Sequence, residues 1–301
     1  MTSASLSLRH ALLALAVMAV WGSNFVVIRV GLDQLPPLLF ATLRFTLAFL
    51  PAALFVRRPD APWRNLAAYG VLIGAGQFGL LFIAMDGRIS PGLASLVVQT
   101  QAFFTIALAM RFDGERARPY QLVALALAAA GIGVIVWKTD GSATPLGLAL
   151  VLGAALAWAG GNLVARRTPN VNMLGYVVWA SLFSAPPLLA LSLAFEGPAA
   201  IARGLAGAGP ATWAAVAWQT AGNTLFGYAV WGWLLARYPA ATVAPMSLLV
   251  PVFGMAASAA ALHESLPGWK LAAAGLVIAG LALNTLWPRI GRGFRRLPPA
   301  G

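Results

Sequence analysis

The chain has 301 residues, of which 60% are hydrophobic and 9% charged, and its formal net charge is +12. A soluble domain carries about 25% charged residues, so this composition excludes a soluble globular protein and indicates a membrane protein. The absence of cysteine excludes a disulfide framework and thiolate metal sites.

Ten apolar runs follow one another, each close to the ~20 residues that a helix needs to cross a bilayer. The connectors are short and contain Pro, Gly, Asp and Arg, as turns require. Because lipid offers the backbone no hydrogen-bond partner, we predict an all-α integral membrane protein with ten transmembrane helices. The predicted spans are residues 8–30, 36–56, 66–85, 91–110, 120–137, 145–165, 172–194, 211–235, 240–262 and 268–287.

The basic residues predict an orientation. With the N-terminus in the cytoplasm, fourteen Lys and Arg side chains lie on the cytoplasmic side and five on the far side. Cytoplasmic loops carry the excess of positive charge, so we expect both termini in the cytoplasm. This rule explains the basic tail at 289–301 and the high net charge better than nucleic-acid binding does, so we expect no nucleic-acid partner.

The sequence also repeats itself. A shift of 149 residues places Glu115 on Glu264 and Gly131 on Gly280, without a gap over about forty-five residues. Near the start of each half, a shift of about 138 aligns the Trp-Gly-Ser-Asn motif with a second Trp and Asn. We therefore predict two five-helix repeats, residues 1–140 and 141–288, followed by the tail at 289–301.

The odd number of helices in each repeat has a consequence for topology. The first repeat starts in the cytoplasm and ends outside, so the second must run in the opposite sense. Inverted repeats are the architecture of secondary transporters, whose substrate site lies near the midplane between the copies. The alternative is an old duplication in a membrane protein that transports nothing.

Five short motifs are similar to those of one family. WGSNF at 21–25, LRF at 43–45, GLASL at 92–96, GER at 114–116 and ALAAAGIGVIV at 126–136 resemble the EamA-type drug/metabolite transporter superfamily. The resemblance covers both halves and implies ten helices, two inverted copies and export of small metabolites across the bacterial inner membrane. Within the superfamily, the aromatic residues described below resemble most the aromatic amino acid exporters.

The fourth span departs from the family pattern. The family usually has a proline where this chain has Ala102, whereas the ninth span keeps Pro251 and adds Pro245. A proline inside a helix removes a hydrogen bond and kinks the helix. We expect the ninth span to bend more than the fourth.

Two polar pairs mark the first span of each repeat. Trp21 and Asn24 share a helix face, and so do Trp158 and Asn162. Inverted symmetry would place the two faces on opposite sides of one cavity, and polar side chains within spans mark transport pathways. We expect these four residues to bind substrate. The alternative is helix packing, which the neighbouring glycines also favour.

The fourth and ninth spans contribute further polar candidates. Gln99 and Gln101 are about 200° apart on a helix wheel, so a straight helix cannot point both at one cavity. Either one of them pairs helices instead, or the helix is irregular. In the ninth span, Ser247 lies beside the expected kink and is a further candidate for lining the path.

The third and eighth spans add Gln77, Tyr228 and Trp231. Aromatic side chains with a polar tip can stack on a planar solute and hydrogen-bond it. Tyr228 and Trp231 lie mid-span and three residues apart, so they share a face and differ from an interfacial aromatic belt. Helix packing is the alternative for these residues too.

Arg44 lies within the second span, where a guanidinium is costly and needs partners. It could attract a substrate carboxylate. It could equally be structural, bonded to backbone carbonyls or reaching outward, since the LRF motif occurs across a family with varied substrates.

Carboxylates and histidines are absent from the middle of every predicted span. All eight Asp and Glu residues and both His residues lie in loops or near span ends. A proton antiporter needs a titratable relay within the membrane, so we predict facilitated transport. Nucleotide-binding and metalloprotease motifs are also absent, and we expect no enzyme activity, no catalytic residue, no cofactor and no metal.

The sequence thus predicts a secondary transporter working by alternating access. The predicted cargo is amino acids, aromatic ones included, or similar amphipathic metabolites. The alternatives are a proton-coupled drug/metabolite antiporter, a lipid-headgroup flippase, an intramembrane enzyme, or a structural or sensory membrane subunit. The expected partners are a small-molecule substrate and the lipid bilayer, and the expected state is a monomer or a weak homodimer.

Overall fold

The computed structural model describes residues 7–114, 116–138, 140–169 and 171–294, with side chains described except at 240–241 and 288–294. Glu115, which the repeat pairs with Glu264, lies outside the described residues. So do Arg295 and Arg296 of the basic tail.

The described chain is a bundle of helices that agrees with the predicted spans to within a few residues. Nine of the described helices are long and apolar enough to cross a membrane, which confirms an all-α membrane fold. They are α1 Leu8–Leu32, α2 Pro37–Leu54, α3 Trp63–Met85, α4 Pro91–Phe112, α5 Pro119–Trp137, α6 Pro145–Arg166, α7 Met173–Phe195, α9 Ala244–Leu262 and α10 Gly268–Phe294.

The predicted eighth span, α8, is a more polar helix over 210–237. It consists of Pro210–Ala217, a π-helical stretch Trp218–Phe226 and Gly227–Arg237. The π-helical stretch buries four polar side chains inside the bundle, which is why α8 is not among the nine most apolar helices: Gln219, Thr220, Asn223 and Thr224. A connecting helix, Gly197–Gly207, precedes α8.

Successive helices run in opposite directions, so the bundle has two ends. The Glu264 end contains the last residues of the odd-numbered helices, such as Leu32, Met85 and Leu262. The Arg237 end contains their first residues, such as Leu8 and Trp63, and the last residue of α8.

Several helices begin with the residues that the chemistry of helix ends favours. Proline is the first residue of α4 and α6, where its missing N–H costs nothing. Ser90 and Thr144 cap these two helices by accepting hydrogen bonds from Leu93 N and Gly147 N. The ends of the spans are therefore encoded locally.

The two halves share the same irregularities at matching places. The third helix of each half contains a π-helical stretch, Leu72–Gly79 in α3 and Trp218–Phe226 in α8. The fourth helix of each half contains a 3₁₀ stretch, Val98–Thr100 in α4 and Ala244–Leu248 in α9. Because α3 and α8 run in opposite directions, these pairs are what an inverted repeat requires. The exact boundaries at 140 and 288 stay a prediction.

Glycines allow α5 and α10 to pack closely. A Cβ on Gly131 would lie 2.9 Å from the backbone oxygen of Ala273, and one on Gly280 would lie 2.5 Å from that of Ala124. These two glycines are the pair that the 149-residue shift aligns. The ALAAAGIGVIV motif therefore forms one side of an interface between the two halves.

A carboxylate whose side chain is 9% exposed joins three helices at the Glu264 end. Glu264 accepts hydrogen bonds from the Ser90 hydroxyl at 2.5 Å, from the backbone N–H of Gly92 at 3.0 Å and from the Ser258 hydroxyl. Lys270 donates to it at 3.3 Å. These five residues, which we call the Glu264 cluster, join the start of α4 to α9 and α10, and the anion at the start of α4 complements the helix dipole.

Candidate functional site

A cavity of about 270 Å³ lies among the irregular parts of the helices. Residues of α1, α3, α4, α6, α7, α8 and α9 line it. All ten residues predicted to bind substrate are in its wall: Trp21, Asn24, Gln77, Gln99, Gln101, Trp158, Asn162, Tyr228, Trp231 and Ser247. The structure thus brings together residues that are up to 226 positions apart in the sequence, and their binding role remains a proposal.

An aromatic cluster forms one side of the cavity. The ring centroid of Trp21 lies 5.6 Å from that of Tyr228 and 5.5 Å from that of Trp231. Its indole N–H donates to the backbone oxygen of Asn223 at 3.1 Å. Asn223 belongs to the π-helical stretch of α8, where the backbone hydrogen bonds are out of α-helical register. Its carbonyl oxygen accepts the hydrogen bond from the indole. Trp21 is therefore both a wall of the cavity and a structural contact to α8.

The wall formed by α4 and α6 is a hydrogen-bonded network of side chains. Asn162 donates through Nδ2 to Gln101 Oε1 at 3.0 Å, and the hydroxyl of Thr105 donates to the backbone oxygen of Gln101 at 2.8 Å. Gln99 and Gln101 both line the cavity because the 3₁₀ stretch Val98–Thr100 changes the angle between them. Both alternatives that the sequence left open are seen in part, because the helix is irregular and Gln101 also pairs α4 with α6.

Two amides in the wall lack protein partners. Asn24 and Gln77 are each 4% exposed, and within the described part of the chain Asn24 Oδ1 and Gln77 Oε1 accept no hydrogen bond. A buried acceptor without a donor costs about 1–3 kcal/mol. Both oxygens are enclosed by protein atoms, so a molecule in the cavity does not reach them.

Arg44 lies next to the cavity and does not form part of its wall. It is 1% exposed, donates through Nη1 to Gln219 Oε1 at 2.8 Å, and its Cζ lies 3.7 Å from the ring centroid of Phe78. Phe78 and Gln219 belong to the π-helical stretches of α3 and α8, so Arg44 bridges the two irregular segments. The partners of Arg44 are therefore the side-chain oxygen of Gln219 and the ring of Phe78, whereas one structural alternative from the sequence was hydrogen bonding to backbone carbonyls.

The wall carries no formal charge among the described residues that form it. A cation lies beside the wall, because the Cζ of Arg44 is 3.7 Å from the ring centroid of Phe78, which lines the cavity. In a medium of low dielectric constant such a charge acts strongly over a short distance. The cavity is therefore neutral with a positive neighbour, and a molecule with a lone positive charge is disfavoured in it.

Several residues of the wall were not predicted from the sequence. Tyr69 is one of them, and its ring centroid lies 4.8 Å from that of Tyr176. Four-residue spacing places Tyr69 and Ile73 on the same helix face as Gln77. An aromatic residue with a hydroxyl group on that face could therefore have been predicted to line the cavity. Met173 and Val98 gave no such signal, because an apolar residue in an apolar helix does not reveal which way it points.

Comparison with known proteins identifies the family. The family model described as "EamA-like transporter family" matches residues 8–137 and again residues 145–286. The chain belongs to this family. The double match covers both halves and identifies a membrane transporter rather than an enzyme.

Relatives of this EamA-like transporter cover nearly its whole length. It is 42% identical over 296 residues to a Salmonella typhimurium protein named "Probable amino-acid metabolite efflux pump", covering 96% of this chain and 99% of the relative. An Escherichia coli K12 protein of the same name is 40% identical, with 93% and 95% covered. A Streptantibioticus cattleyicolor protein named "Probable terminal-alkyne amino-acid exporter" is 29% identical, with 87% and 89% covered.

A crystal structure shows the same fold. It superposes with a TM-score of 0.64 at 20% sequence identity, covering 93% of this chain and 99% of that chain. At this identity the likeness concerns the fold alone.

Proposed function

We propose that the protein is a secondary transporter that exports amino acids, aromatic ones included, across the bacterial inner membrane. The observation that carries the proposal is the cavity wall, which combines uncharged amides with indole and phenol rings. Such a wall can stack on a planar apolar side chain and hydrogen-bond the polar atoms of a zwitterion. The names of the relatives, "Probable amino-acid metabolite efflux pump" and "Probable terminal-alkyne amino-acid exporter", support an amino-acid-like cargo and the outward direction.

Alternating access is the mechanism we propose. The first half of α4, Pro91–Val97, is buried throughout and packs against α9 near the Glu264 end, whereas the second half, Gln101–Phe112, packs mainly against α6. α4 and α9 thus meet at the Glu264 end and separate toward the Arg237 end. With both termini in the cytoplasm, as the basic residues predict, this is a state closed to the outside.

We further propose that transport is facilitated without obligatory proton coupling. Among the described residues that line the cavity there is no carboxylate and no histidine. A proton-coupled carrier needs a titratable group that substrate and proton can compete for within the membrane. The neutral wall therefore supports uniport or exchange.

Solute counterflow tests the function. Purified protein is reconstituted in liposomes loaded with unlabelled phenylalanine, tryptophan or threonine, without pH or voltage gradients, and labelled amino acid is added outside. We expect transient accumulation of label, larger with the aromatic amino acids than with threonine. Empty liposomes and liposomes loaded with glucose are the controls.

The outcomes separate the parts of the proposal. Equal accumulation with threonine and phenylalanine would contradict the aromatic preference and leave amino-acid exchange standing. Accumulation that occurs only under an imposed pH gradient would contradict the absence of coupling. No accumulation in either condition, with folded protein, would contradict the amino-acid cargo.

A further inference from the structure

Thr105 holds the side-chain amides of Gln101 and Asn162 in one orientation. Its hydroxyl has a single hydrogen, which it donates to the backbone oxygen of Gln101 at 2.8 Å. The hydroxyl oxygen is therefore an acceptor toward Asn162, 3.4 Å away, so the Asn162 atom on that side is the Nδ2 amide nitrogen. The same nitrogen donates to Gln101 at 3.0 Å, which identifies the Gln101 atom there as Oε1.

This orientation leaves one donor and one acceptor without a protein partner. Within the described part of the chain, Gln101 Nε2 donates to no residue and Asn162 Oδ1 accepts from none. Both side chains are half-buried and line the cavity, and neither of the two atoms is enclosed by protein, unlike the oxygens of Asn24 and Gln77. A molecule in the cavity can therefore reach both atoms, which belong to two amides joined by one hydrogen bond.

We propose that Gln101 and Asn162 form the subsite for the charged backbone of the substrate, a free α-amino acid. A carboxylate only accepts hydrogen bonds and an ammonium group only donates them. Gln101 Nε2 donates to the carboxylate, Asn162 Oδ1 accepts from the ammonium group, and Thr105 is a positioning residue outside the cavity wall. This inference rests on the proposed amino-acid transport and extends it, since it assigns each end of the substrate to one atom.

Competition binding on the purified full-length protein tests the assignment. Labelled phenylalanine is the probe, and unlabelled phenylalanine, phenethylamine and 3-phenylpropanoate are the competitors. Gln101→Met removes the donor, so the two ligands with a carboxylate should bind about tenfold more weakly, whereas phenethylamine should keep its affinity. Asn162→Leu removes the acceptor, so phenylalanine and phenethylamine should lose about tenfold instead, and 3-phenylpropanoate should not.

A more conservative variant keeps the contact between α4 and α6. Gln101→Glu retains an oxygen for Asn162 and replaces only the Nε2 amide nitrogen, by an oxygen that repels a carboxylate. At pH 8 it should bind phenylalanine at least about tenfold more weakly and phenethylamine no more weakly than wild type. Gln121→Glu is the matched control, because Gln121 also uses its Oε1, accepting from Arg118 N at 2.8 Å, and lies outside the cavity wall.

The positioning role of Thr105 has a separate test. In Thr105→Val the two amides can turn over together, so about half of the molecules keep the competent orientation and the affinity for phenylalanine should fall about twofold. Thr105→Ser should restore the wild-type affinity. Thr42→Val is the matched control, since it removes the same kind of hydrogen bond, to Leu38 O at 2.8 Å, outside the cavity wall. Wild-type affinity in Thr105→Val, or an equal loss in Thr42→Val, would contradict this role.

The pattern across ligands separates a binding role from a packing role. Thermal unfolding identifies the variants that are folded. Among these, an equal loss of affinity for all three ligands, or unchanged affinities in every variant of Gln101 and Asn162, would overturn the assignment. If wild-type protein binds and exchanges no amino acid at all, the proposed function itself fails, which the counterflow experiment reports separately.

Discussion

Trp21 and Trp158 match each other in the repeat, yet their surroundings differ. Trp21 contacts two aromatic rings and donates a hydrogen bond to α8, and a Cβ on Gly227 would lie 3.0 Å from its Cε2. Trp158 is half-buried and belongs to the cavity wall without a hydrogen bond to another described residue. The two tryptophans are equivalent positions of the sequence repeat. In the structure, only Trp21 also forms a hydrogen bond that joins two helices.

The difference can be measured with two alanine variants. Trp21→Ala should cost about 3 kcal/mol of stability, since it removes a large packed ring and its hydrogen bond. Trp158→Ala removes a ring packed against the same core but no hydrogen bond, so it should destabilise less than Trp21→Ala and lose most counterflow of aromatic amino acids. Trp137→Ala, at a position that is 81% exposed, is the control for both. Equal loss of stability in the two cavity variants would contradict the distinction.

Much of the cavity wall could be predicted at this scale, and the reason is helix geometry. A polar or polar-tipped aromatic residue inside a span has few places to go except the interior, so Asn24, Gln77 and Tyr228 could be singled out. The partners could not be predicted, since nothing local relates Arg44 to Gln219, 175 residues away. Tyr69 could have been found by its spacing to Gln77.

Among the helices, the irregular segments shape the cavity. The π-helical stretches of α3 and α8 supply Gln77 and Asn223 to its polar wall, and the 3₁₀ stretches of α4 and α9 supply Gln99 and Ser247. The positions of the prolines predict only some of these irregular segments. Pro245 lies in the 3₁₀ stretch of α9, but α4 is irregular too, although it has Ala102 in place of the family's proline. Tertiary packing stabilises such segments, so propensity along the chain does not reveal them.

The interface between α5 and α10 provides a test at the scale of the helix. Gly131 packs against α10, whereas Gly133, two residues further along α5, has nothing within 4 Å of its Cβ direction. Gly131→Ala should destabilise the protein by about 1–3 kcal/mol, because the methyl group overlaps the backbone of Ala273. Gly133→Ala should be neutral or stabilise by up to about 1 kcal/mol.

Both variants are measured by thermal unfolding in the same detergent. The two positions lie on the same helix and carry the same glycine-to-alanine substitution, so each is the control for the other. If Gly133→Ala destabilised as much as Gly131→Ala, the effect would come from the helix itself and not from the interface between the halves.

At the scale of the whole molecule, the two ends of the bundle differ in the polar contacts that join their helices. At the Glu264 end the Glu264 cluster fastens α4, and Lys270 also approaches Asp140 at 3.8 Å. A hydrogen bond from Ser142 lowers the pKa of Asp140, with a smaller contribution from the charge of Lys270. Lys270 has no basic counterpart one repeat earlier, where the chain has Gln121. The two ends therefore differ in their described charged contacts: Lys270 pairs with Glu264 at one end, and the Arg166 guanidinium lies 3.6 Å from the Asp113 carboxylate at the other.

Opening of the Glu264 end should depend on the Glu264 cluster. Hydrogen bonds to a charged carboxylate contribute about 1.5–3 kcal/mol each, so losing the charge in Glu264→Gln should favour the open state by at least about tenfold. The cysteine-free chain allows a direct readout, because Ser95→Cys places a single thiol on the fully buried start of α4. In the Glu264→Gln background this thiol should react at least about tenfold faster with a membrane-impermeant maleimide.

Glu196 provides the matched control for this experiment. It lies at the same end and accepts hydrogen bonds from Leu38 N at 2.6 Å and Leu39 N at 3.0 Å, but it joins α7 to α2 and not α4 to α9. Glu196→Gln should therefore leave the thiol at position 95 protected, while an exposed Gln34→Cys should react in every background. If both glutamate variants exposed position 95 equally, the end would loosen as a whole. The Glu264 cluster would then be one of several supports and not the closure that alternating access must release.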